Sequence, residues 1–179
     1  MRGLLVGRFQ PFHRGHLELV RRLVGAQAPD PLIVAIGSAE QSFTWENPFT
    51  AGERFEMIDR ALAEARIDRV AIVPVPDIQR HGLWVRYLEG LLPRFDRVYS
   101  HNPLTVMLFD RAGYRTVRPP FVERRRFEGA RVRRMLARGA QVRALVPPAV
   151  DRFLGEIGAA GRLAGLRPSP APGRRPARR

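Results

Sequence analysis

The chain has 179 residues and a formal net charge of +14, and all 31 of its basic residues are arginine. This length suits one domain with a substantial core, so we expect a single globular unit. The sequence contains no cysteine, which excludes disulfide scaffolds, thiolate nucleophiles and cysteine-based metal sites. Neither a signal peptide nor an apolar run of about 18 residues is visible, so we predict a cytoplasmic protein without a membrane span.

The high positive charge favours partners that carry phosphate, such as nucleotides. Nucleic acid is the weaker candidate, because the sequence shows neither a recognition motif nor basic residues interleaved with exposed aromatic ones. The charge therefore predicts a negatively charged partner and leaves its identity open, and we predict no nucleic acid and no membrane.

Short apolar runs alternate along the chain with patterns typical of amphipathic helices. The first run, residues 3–6, precedes a helix predicted at residues 16–24. Further strands are predicted at residues 32–36, 70–75, 98–99 and 114–117. Further helices are predicted at residues 54–65, 82–92, 129–138 and 148–157, together with one that begins after the N-cap Asn102. This alternation predicts an α/β fold, an open parallel sheet with helices on both faces.

The helix predicted at residues 54–65 has the clearest N-terminal signal. Thr50 and Glu53 form a capping box directly before it. The buried face predicted for it consists of Phe55, Ile58, Leu62 and Ala65.

Polar and special residues follow the first four predicted strands, at residues 7–16, 37–42, 76–84 and 100–102. The carboxyl ends of parallel strands meet at one edge of a sheet, and ligands of open α/β sheets bind in the crevice there. We therefore expect the functional site at this edge.

The end of the chain has a different composition. From residue 159 the apolar periodicity fades, and the last residues are rich in proline and arginine. We predict one domain over residues 1–158 and a disordered basic tail over residues 159–179.

Two histidines, His13 and His16, lie three residues apart where the first strand gives way to a helix. Backbone N–H groups and the helix dipole favour an anion at such an N-terminus, and Gly15 leaves room for a phosphate beside the backbone. Imidazoles there can donate hydrogen bonds to phosphoryl oxygens. The alternatives are capping or surface histidines, or half of a zinc site, although His81 and His101 stand apart from the pair.

The stretch GRFQPFHRGH resembles the signature of the HxGH nucleotidyltransferases. With GSAEQS, ENPFTAGER, VPVPDIQRHGLWV, FDRVYSHNPL and VRRMLARG, in that order up to about residue 157, it resembles archaeal-type nicotinamide mononucleotide (NMN) adenylyltransferases. The resemblance implies a Rossmann-like fold and a reaction that joins NMN to ATP, giving NAD and pyrophosphate by direct in-line attack on the α-phosphate. It also implies Mg2+ held through substrate phosphates rather than by protein ligands, and a homo-oligomer, often a hexamer in this family.

The resemblance also implies roles for individual residues. The catalytic set is His13, His16, Arg8 and Arg133. The nucleotide-binding set is Gly7, Phe9, Gly15, Glu128, Gly129 and Ala130. The acceptor-binding set is Ser38, Asp77, Ile78, Trp84 and Asn102. Three of these have plainer alternatives: Phe9 shapes the loop, Asp77 caps the following helix, and Trp84 belongs to the core.

Two positions depart from the family pattern. Where the family has a hydroxyl-rich turn resembling Ser-Gly-Thr, this chain has Glu128, Gly129 and Ala130. The change removes two hydroxyl donors and adds a carboxylate that a triphosphate would repel, although arginines nearby can compensate. His101 replaces a small or amide residue, with a plain surface histidine as the alternative.

These observations predict a nucleotidyltransferase that makes NAD from NMN and ATP. The alternative is a diverged relative that uses another nucleoside triphosphate, for instance CTP, or a small phosphonate or phosphate acceptor. NMN and nicotinate mononucleotide both stay open as the acceptor.

Overall fold

Five parallel strands form the centre of the computed structural model, which describes residues 1–25 and 31–167. The strands are β1 (Gly3–Gly7), β2 (Leu32–Ile36), β3 (Val70–Pro74), β4 (Arg97–Tyr99) and β5 (Arg115–Val117). Their order across the sheet is β3-β2-β1-β4-β5, and every neighbouring pair is parallel. The predicted open parallel sheet is confirmed.

Helices cover both faces of this sheet. They are α1 (Arg14–Val24), α2 (Ala51–Glu64), α3 (His81–Leu91), α4 (Pro103–Arg111), α5 (Gly129–Leu136), α6 (Pro148–Glu156) and α7 (Ala159–Gly165). Alternate side chains of β1 point to opposite faces, so Leu5 joins the core under α1, α2, α5, α6 and α7, whereas Leu4 joins the core under α3 and α4. The predicted α/β architecture with two covered faces is therefore confirmed. No helix within the described ranges has the length and apolar character that a membrane crossing needs.

The strand order places a switch point beside β1. The chain first runs outward from β1 through β2 to β3, then returns to the other side of β1 with β4 and β5. Consecutive connections therefore diverge between β1 and β4, which leaves a crevice at the carboxyl ends of these two strands.

The predicted boundary of the tail is wrong. Residues 159–165 form α7, and its side chains Ala159 and Leu163 are fully buried in the larger core. Arg162 of α7 donates to both carboxylate oxygens of Glu53, at 2.6 and 2.7 Å, and to the carbonyl oxygen of Pro48 at 3.2 Å. The domain thus extends past residue 158 at least to α7, and residues 168–179 of the predicted tail lie outside the described residues.

Replacing Arg162 by Met is expected to lower the free energy of unfolding by about 2 kcal/mol, the usual range for hydrogen bonds to charged groups. The pair is well shielded, since the Arg162 and Glu53 side chains are only 20% and 17% exposed. Arg167→Met, at an exposed position just after α7, is the matched control and should change stability little. Urea denaturation compares the two, and equal effects would show that the ion pair does not anchor α7.

Candidate active site

The two histidines lie against each other where β1 passes into α1. Their rings are stacked, with centroids 3.5 Å apart and an interplanar angle of 12°. They form a reciprocal capping box: the His16 backbone N–H donates to Nδ1 of His13, and the His13 backbone N–H donates to Nδ1 of His16, both at 3.3 Å. The alternative of capping histidines is therefore correct for the two Nδ1 atoms, which accept the capping hydrogen bonds. The capping box does not use either Nε2 atom.

The capping bonds fix the protonation of the two rings. An Nδ1 that accepts from a backbone N–H cannot carry a proton, so in each neutral imidazole the proton lies on Nε2. Burial lowers the pKa of His13 to about 4. Burial, and then the charge of His13, lowers the pKa of His16 well below its usual value. Both histidines are thus neutral N–H donors at neutral pH.

The depressed pKa of His13 predicts a loss of stability in mild acid. Between pH 6.5 and about pH 4 the unfolded chain binds a proton that the folded chain does not, so unfolding becomes easier as pH falls, by about 1.4 kcal/mol per pH unit for each such histidine. The ion-paired carboxyls of Glu18 and Glu53 have pKa values lowered below 4.5. Their protonation therefore adds to the loss of stability only at a lower pH than that of the histidines.

Denaturation midpoints measured from pH 7 to pH 4.5 test this expectation. His13→Asn retains an oxygen that can cap α1 and should reduce the slope of stability against pH by about half, because His16 continues to contribute. An unchanged slope in this variant would contradict the assignment.

The loop between β1 and α1 is packed too closely for larger residues at two glycines. A Cβ at Gly7 would come within 2.8 Å of the Phe9 ring, and a Cβ at Gly15 would come within 2.9 Å of Cβ of Phe127. Phe9 is 3% exposed and meets His16 edge to face at a centroid distance of 5.0 Å. The Phe9 ring thus braces His16, as expected of a residue that shapes the loop, and it also lines the cavity at this edge of the sheet.

Two arginines beside this loop have no carboxylate partner within the described ranges. Arg8 is exposed and lines the crevice. Arg133 of α5 donates from one terminal nitrogen to the carbonyl oxygen of Gln10 at 2.8 Å, while its buried Nε has no partner in the described part of the chain. Burial, together with the charge of Arg8, lowers the pKa of Arg133. Glu46 and Glu128 act on Arg133 only through their charge, without a direct ion pair. Two neighbouring guanidinium groups that have no ion-paired carboxylate among the described residues favour a bound anion.

A third arginine, Arg54 of α2, is a residue that sequence reasoning missed. It is fully buried and donates to the carbonyl oxygens of Gly37 at 2.8 Å, and of Arg8 and Ser38 at 3.1 Å. Its Nε donates to the carbonyl oxygen of Thr50 at 3.2 Å, and burial lowers its pKa to about 10. Arg54 thereby ties together the segments that follow β1 and β2. The sequence signal that could have identified Arg54 was its position on the buried face of α2. The prediction placed Phe55 on that face instead, but Phe55 is 36% exposed.

A cavity of about 450 Å³ opens at the switch point between β1 and β4, a volume typical of sites for small ligands. The predicted residues that line it are Gly7, Arg8, Phe9, His16, Ser38, Asp77, Trp84 and Asn102. Ile78 is not among the lining residues, whereas its neighbours Gln79, Arg80 and His81 are. The predicted acceptor set is thus brought together except for Ile78, which is half-buried and does not line the cavity.

Six other predicted residues are not part of this cavity. His13, Gly15, Glu128, Gly129, Ala130 and Arg133 do not line the cavity. Gly129 approaches the loop closely, since a Cβ there would lie 2.9 Å from the carbonyl oxygen of Gln10. Glu128 precedes α5 without capping it, and its exposed carboxylate lies 3.7 Å from Arg134. The Glu128 carboxylate therefore has an arginine beside it, as the sequence analysis expected.

The acceptor residues show which alternatives hold. Asp77 does not cap α3, whose N-cap is Arg80; it accepts a hydrogen bond of 2.8 Å from the Ser38 hydroxyl, and its backbone N–H donates to Glu40 at 2.9 Å. Trp84 meets Phe109 of the core at 5.6 Å and also lines the cavity, so its position is compatible with both alternatives. Asn102 caps α4 through its Oδ1, as predicted.

The described residues offer no ligand set for a metal ion, since no three His, Asp or Glu side chains come together within those ranges. A Mg2+ ion there would need oxygen ligands from substrate and water.

The comparisons with known proteins agree with this geometry. The family model described as cytidylyltransferase-like matches residues 4–150. A nicotinamide-nucleotide adenylyltransferase of Picrophilus torridus is 42% identical over 166 residues, covering 93% of this chain and 97% of the relative. One of Archaeoglobus fulgidus is 43% identical over 168 residues, covering 91% of this chain and 95% of the relative.

A solved structure shares the fold. A bifunctional NMN adenylyltransferase/ADP ribose pyrophosphatase from Francisella tularensis, complexed with AMP and a manganese ion, has a TM-score of 0.74 at 20% identity. The match covers 92% of this chain and 51% of that chain, so this chain spans about half the length of the Francisella protein. The family match and the relatives confirm the resemblance seen in the motifs, and the chain belongs to the cytidylyltransferase-like nucleotidyltransferases, in the group of the nicotinamide-nucleotide adenylyltransferases.

Proposed function

We propose that this protein joins NMN to ATP to form NAD and pyrophosphate. The observation that carries the proposal is the pair of neutral histidines at the N-terminus of α1, beside arginines that have no carboxylate partner in the described part of the chain. The relatives from Picrophilus torridus and Archaeoglobus fulgidus are named for this activity and align with nearly the whole chain.

In the proposed reaction, a phosphate oxygen of NMN attacks the α-phosphorus of ATP. A new P–O bond forms, and the bond between the α-phosphorus and the oxygen bridging to the β-phosphorus breaks. That oxygen leaves with the electron pair as part of pyrophosphate. No covalent bond to the protein is made, so catalysis consists of positioning the two phosphates and stabilising the charge that develops on them.

The site supplies three means of stabilising this charge. The Nε2–H groups of His13 and His16 would donate hydrogen bonds to phosphoryl oxygens, and their neutrality means that they act as fixed donors and not as proton carriers. Arg8 and Arg133 would bind the triphosphate with planar guanidinium groups. The positive end of the α1 dipole adds to both.

The acceptor would occupy the cavity between β1 and β4. Trp84 offers an indole face there for the nicotinamide ring, and Asp77, held by the Ser38 hydroxyl, offers a carboxylate for hydrogen bonding. Asn102 uses its carbonyl oxygen on the backbone of α4, which leaves its amide group for the ligand. We propose that Mg2+ enters with the triphosphate, because the described side chains form no ligand cluster of their own.

Incubation of the purified protein with NMN, ATP and Mg2+ tests the proposal, with NAD detected by chromatography. The companion experiment measures pyrophosphate release with ATP, CTP, GTP and UTP against NMN, nicotinate mononucleotide and small phosphonates. NAD formation is expected with ATP and NMN. Pyrophosphate release with CTP or a phosphonate alone would establish the diverged nucleotidyltransferase that Glu128 and Ala130 favour.

Restoring a hydroxyl-rich turn before α5 is expected to strengthen nucleotide binding. The double variant Glu128→Ser, Ala130→Thr removes an exposed carboxylate and adds two donors, so KM for ATP should fall about 3- to 10-fold, as expected for one or two hydrogen bonds. KM for NMN should stay unchanged in initial-rate measurements. A rise in KM for ATP would show that Glu128 has a positive role at this turn.

We also propose that the chain self-associates. Four large apolar side chains are exposed on α3 and α4, namely Leu83, Leu91, Leu104 and Met107. Exposed apolar patches of this kind often mark protein interfaces, and sedimentation velocity would measure the assembly.

A further inference from the structure

His101 lies at the mouth of the cavity, although the catalytic scheme gives it no task. It lies two residues after the end of β4 and precedes Asn102, the N-cap of α4, and it lines the cavity together with Trp84. The surface-histidine alternative is therefore incomplete, because this ring forms part of the wall against which a ligand would pack.

The ring of His101 is held in one orientation by contacts with the segment after β5. Its Nε2 lies 2.6 Å from the carbonyl oxygen of Pro119. Its face stacks on Phe121 with a centroid distance of 3.8 Å and an interplanar angle of 16°. The Arg124 guanidinium lies 4.4 Å from the centre of the same Phe121 ring. Rotation of the imidazole would break the hydrogen bond to Pro119, so the orientation is specified.

This orientation also fixes the proton. A carbonyl oxygen only accepts, so Nε2 of His101 must be the donor, and in the neutral ring Nδ1 then carries a lone pair. No group within the described ranges donates to this Nδ1. The cavity lining therefore includes a fixed imidazole whose Nδ1 accepts no hydrogen bond from the described residues.

We propose that His101 is a specificity-determining residue, whose Nδ1 accepts a hydrogen bond from an amino or amide N–H of a substrate. The inference rests on the proposed function and refines it. Two substrate groups have this chemistry: the carboxamide of NMN and the exocyclic amine of adenine or cytosine. Their counterparts, the carboxylate of nicotinate mononucleotide and the carbonyl of guanine or uracil, present only lone pairs and would be repelled by Nδ1.

The variant His101→Phe separates this role from the structural one. Phenylalanine can retain the stack on Phe121 but has no ring nitrogen. His81→Phe is the matched control, because His81 is another histidine that lines the same cavity. Two selectivities are measured as ratios of kcat/KM at one fixed pH. The first ratio compares NMN with nicotinate mononucleotide at fixed ATP. The second ratio measures base selectivity at fixed NMN, as ATP against GTP for a purine nucleotide or CTP against UTP for a pyrimidine nucleotide.

We expect one of the two ratios to fall about fivefold or more in His101→Phe, the size of effect that one neutral hydrogen bond gives. A fall in the first ratio identifies the carboxamide as the donor, and a fall in the second identifies the base amine. The loss should lie mainly in KM, since the contact is made with bound substrate as well as in the transition state.

Two results would overturn the inference while leaving the proposed function intact: both ratios unchanged in His101→Phe, or an equal fall in His81→Phe. A wild-type protein that makes no NAD and binds neither NMN nor ATP by calorimetry would overturn the proposed function, and the inference with it.

Discussion

Replacing His16 by Gln is expected to lower kcat about 100- to 1000-fold while the protein stays folded, in line with the loss of one preorganised donor to a developing charge. His16 lines the cavity, and its Nδ1 is already used by the His13 backbone N–H. A glutamine at the third position of the helix can still accept that hydrogen bond, as in an ordinary capping box. The variant thus retains the cap but replaces the Nε2–H donor of the stacked imidazole, which is held in place, by a flexible amide N–H that is not preorganised.

The matched control is Thr50→Ala at the start of α2. Thr50 and Glu53 form the same reciprocal cap without lining the cavity, so its loss should cost about 1 kcal/mol of stability and leave kcat unchanged. Initial rates of NAD formation and urea denaturation are measured for both variants. If His16→Gln lost stability but not kcat, the histidine pair would be a helix cap and nothing more.

The general architecture was predictable because it depends on local patterns. Apolar runs and helical periodicity place the strands and six of the helices within a few residues, and the caps at Thr50 and Asn102 are recognisable from their side chains alone. The last helix was not predictable in this way. Only Ala159 and Leu163 of α7 are buried, and its ion pair joins residues 109 positions apart. A short helix that depends on such distant contacts has no clear periodic pattern in its own sequence.

The site, like the fold, contains residues that local sequence predicts and residues that depend on distant contacts. The histidines and Arg8 follow a strand within a recognisable motif, so their convergence at one sheet edge could be expected. Arg54 could not be assigned, because its partners are carbonyl oxygens of the segments after β1 and β2, up to 46 positions away. Backbone acceptors have no sequence signature. Nor could the sequence show that His101 reaches Pro119, since that contact depends on the pairing of β4 with β5.

Arg54→Met is expected to lower kcat about 100-fold, the effect of misplacing reacting groups by about 1 Å. It should also lower the free energy of unfolding by about 3 kcal/mol, because buried carbonyl oxygens lose their donor. The guanidinium joins the carbonyl of Arg8, in the loop between β1 and α1, to those of Gly37 and Ser38 after β2. Methionine fills the space but releases all three, so both substrates should bind less precisely.

Two further variants separate positioning from simple destabilisation. Arg60→Met, on the same helix, removes solvent-exposed ion pairs with Glu56 and Glu156, which contribute little to stability, and it should leave kcat unchanged. Arg54→Lys keeps the positive charge, but a single ammonium cannot reproduce the planar arrangement of donors that reaches three carbonyls. Its kcat should therefore remain well below wild type even where its stability recovers. If Arg54→Lys restored kcat in proportion to stability, Arg54 would act through the charge alone, and the geometry of its hydrogen bonds would not position the two substrates.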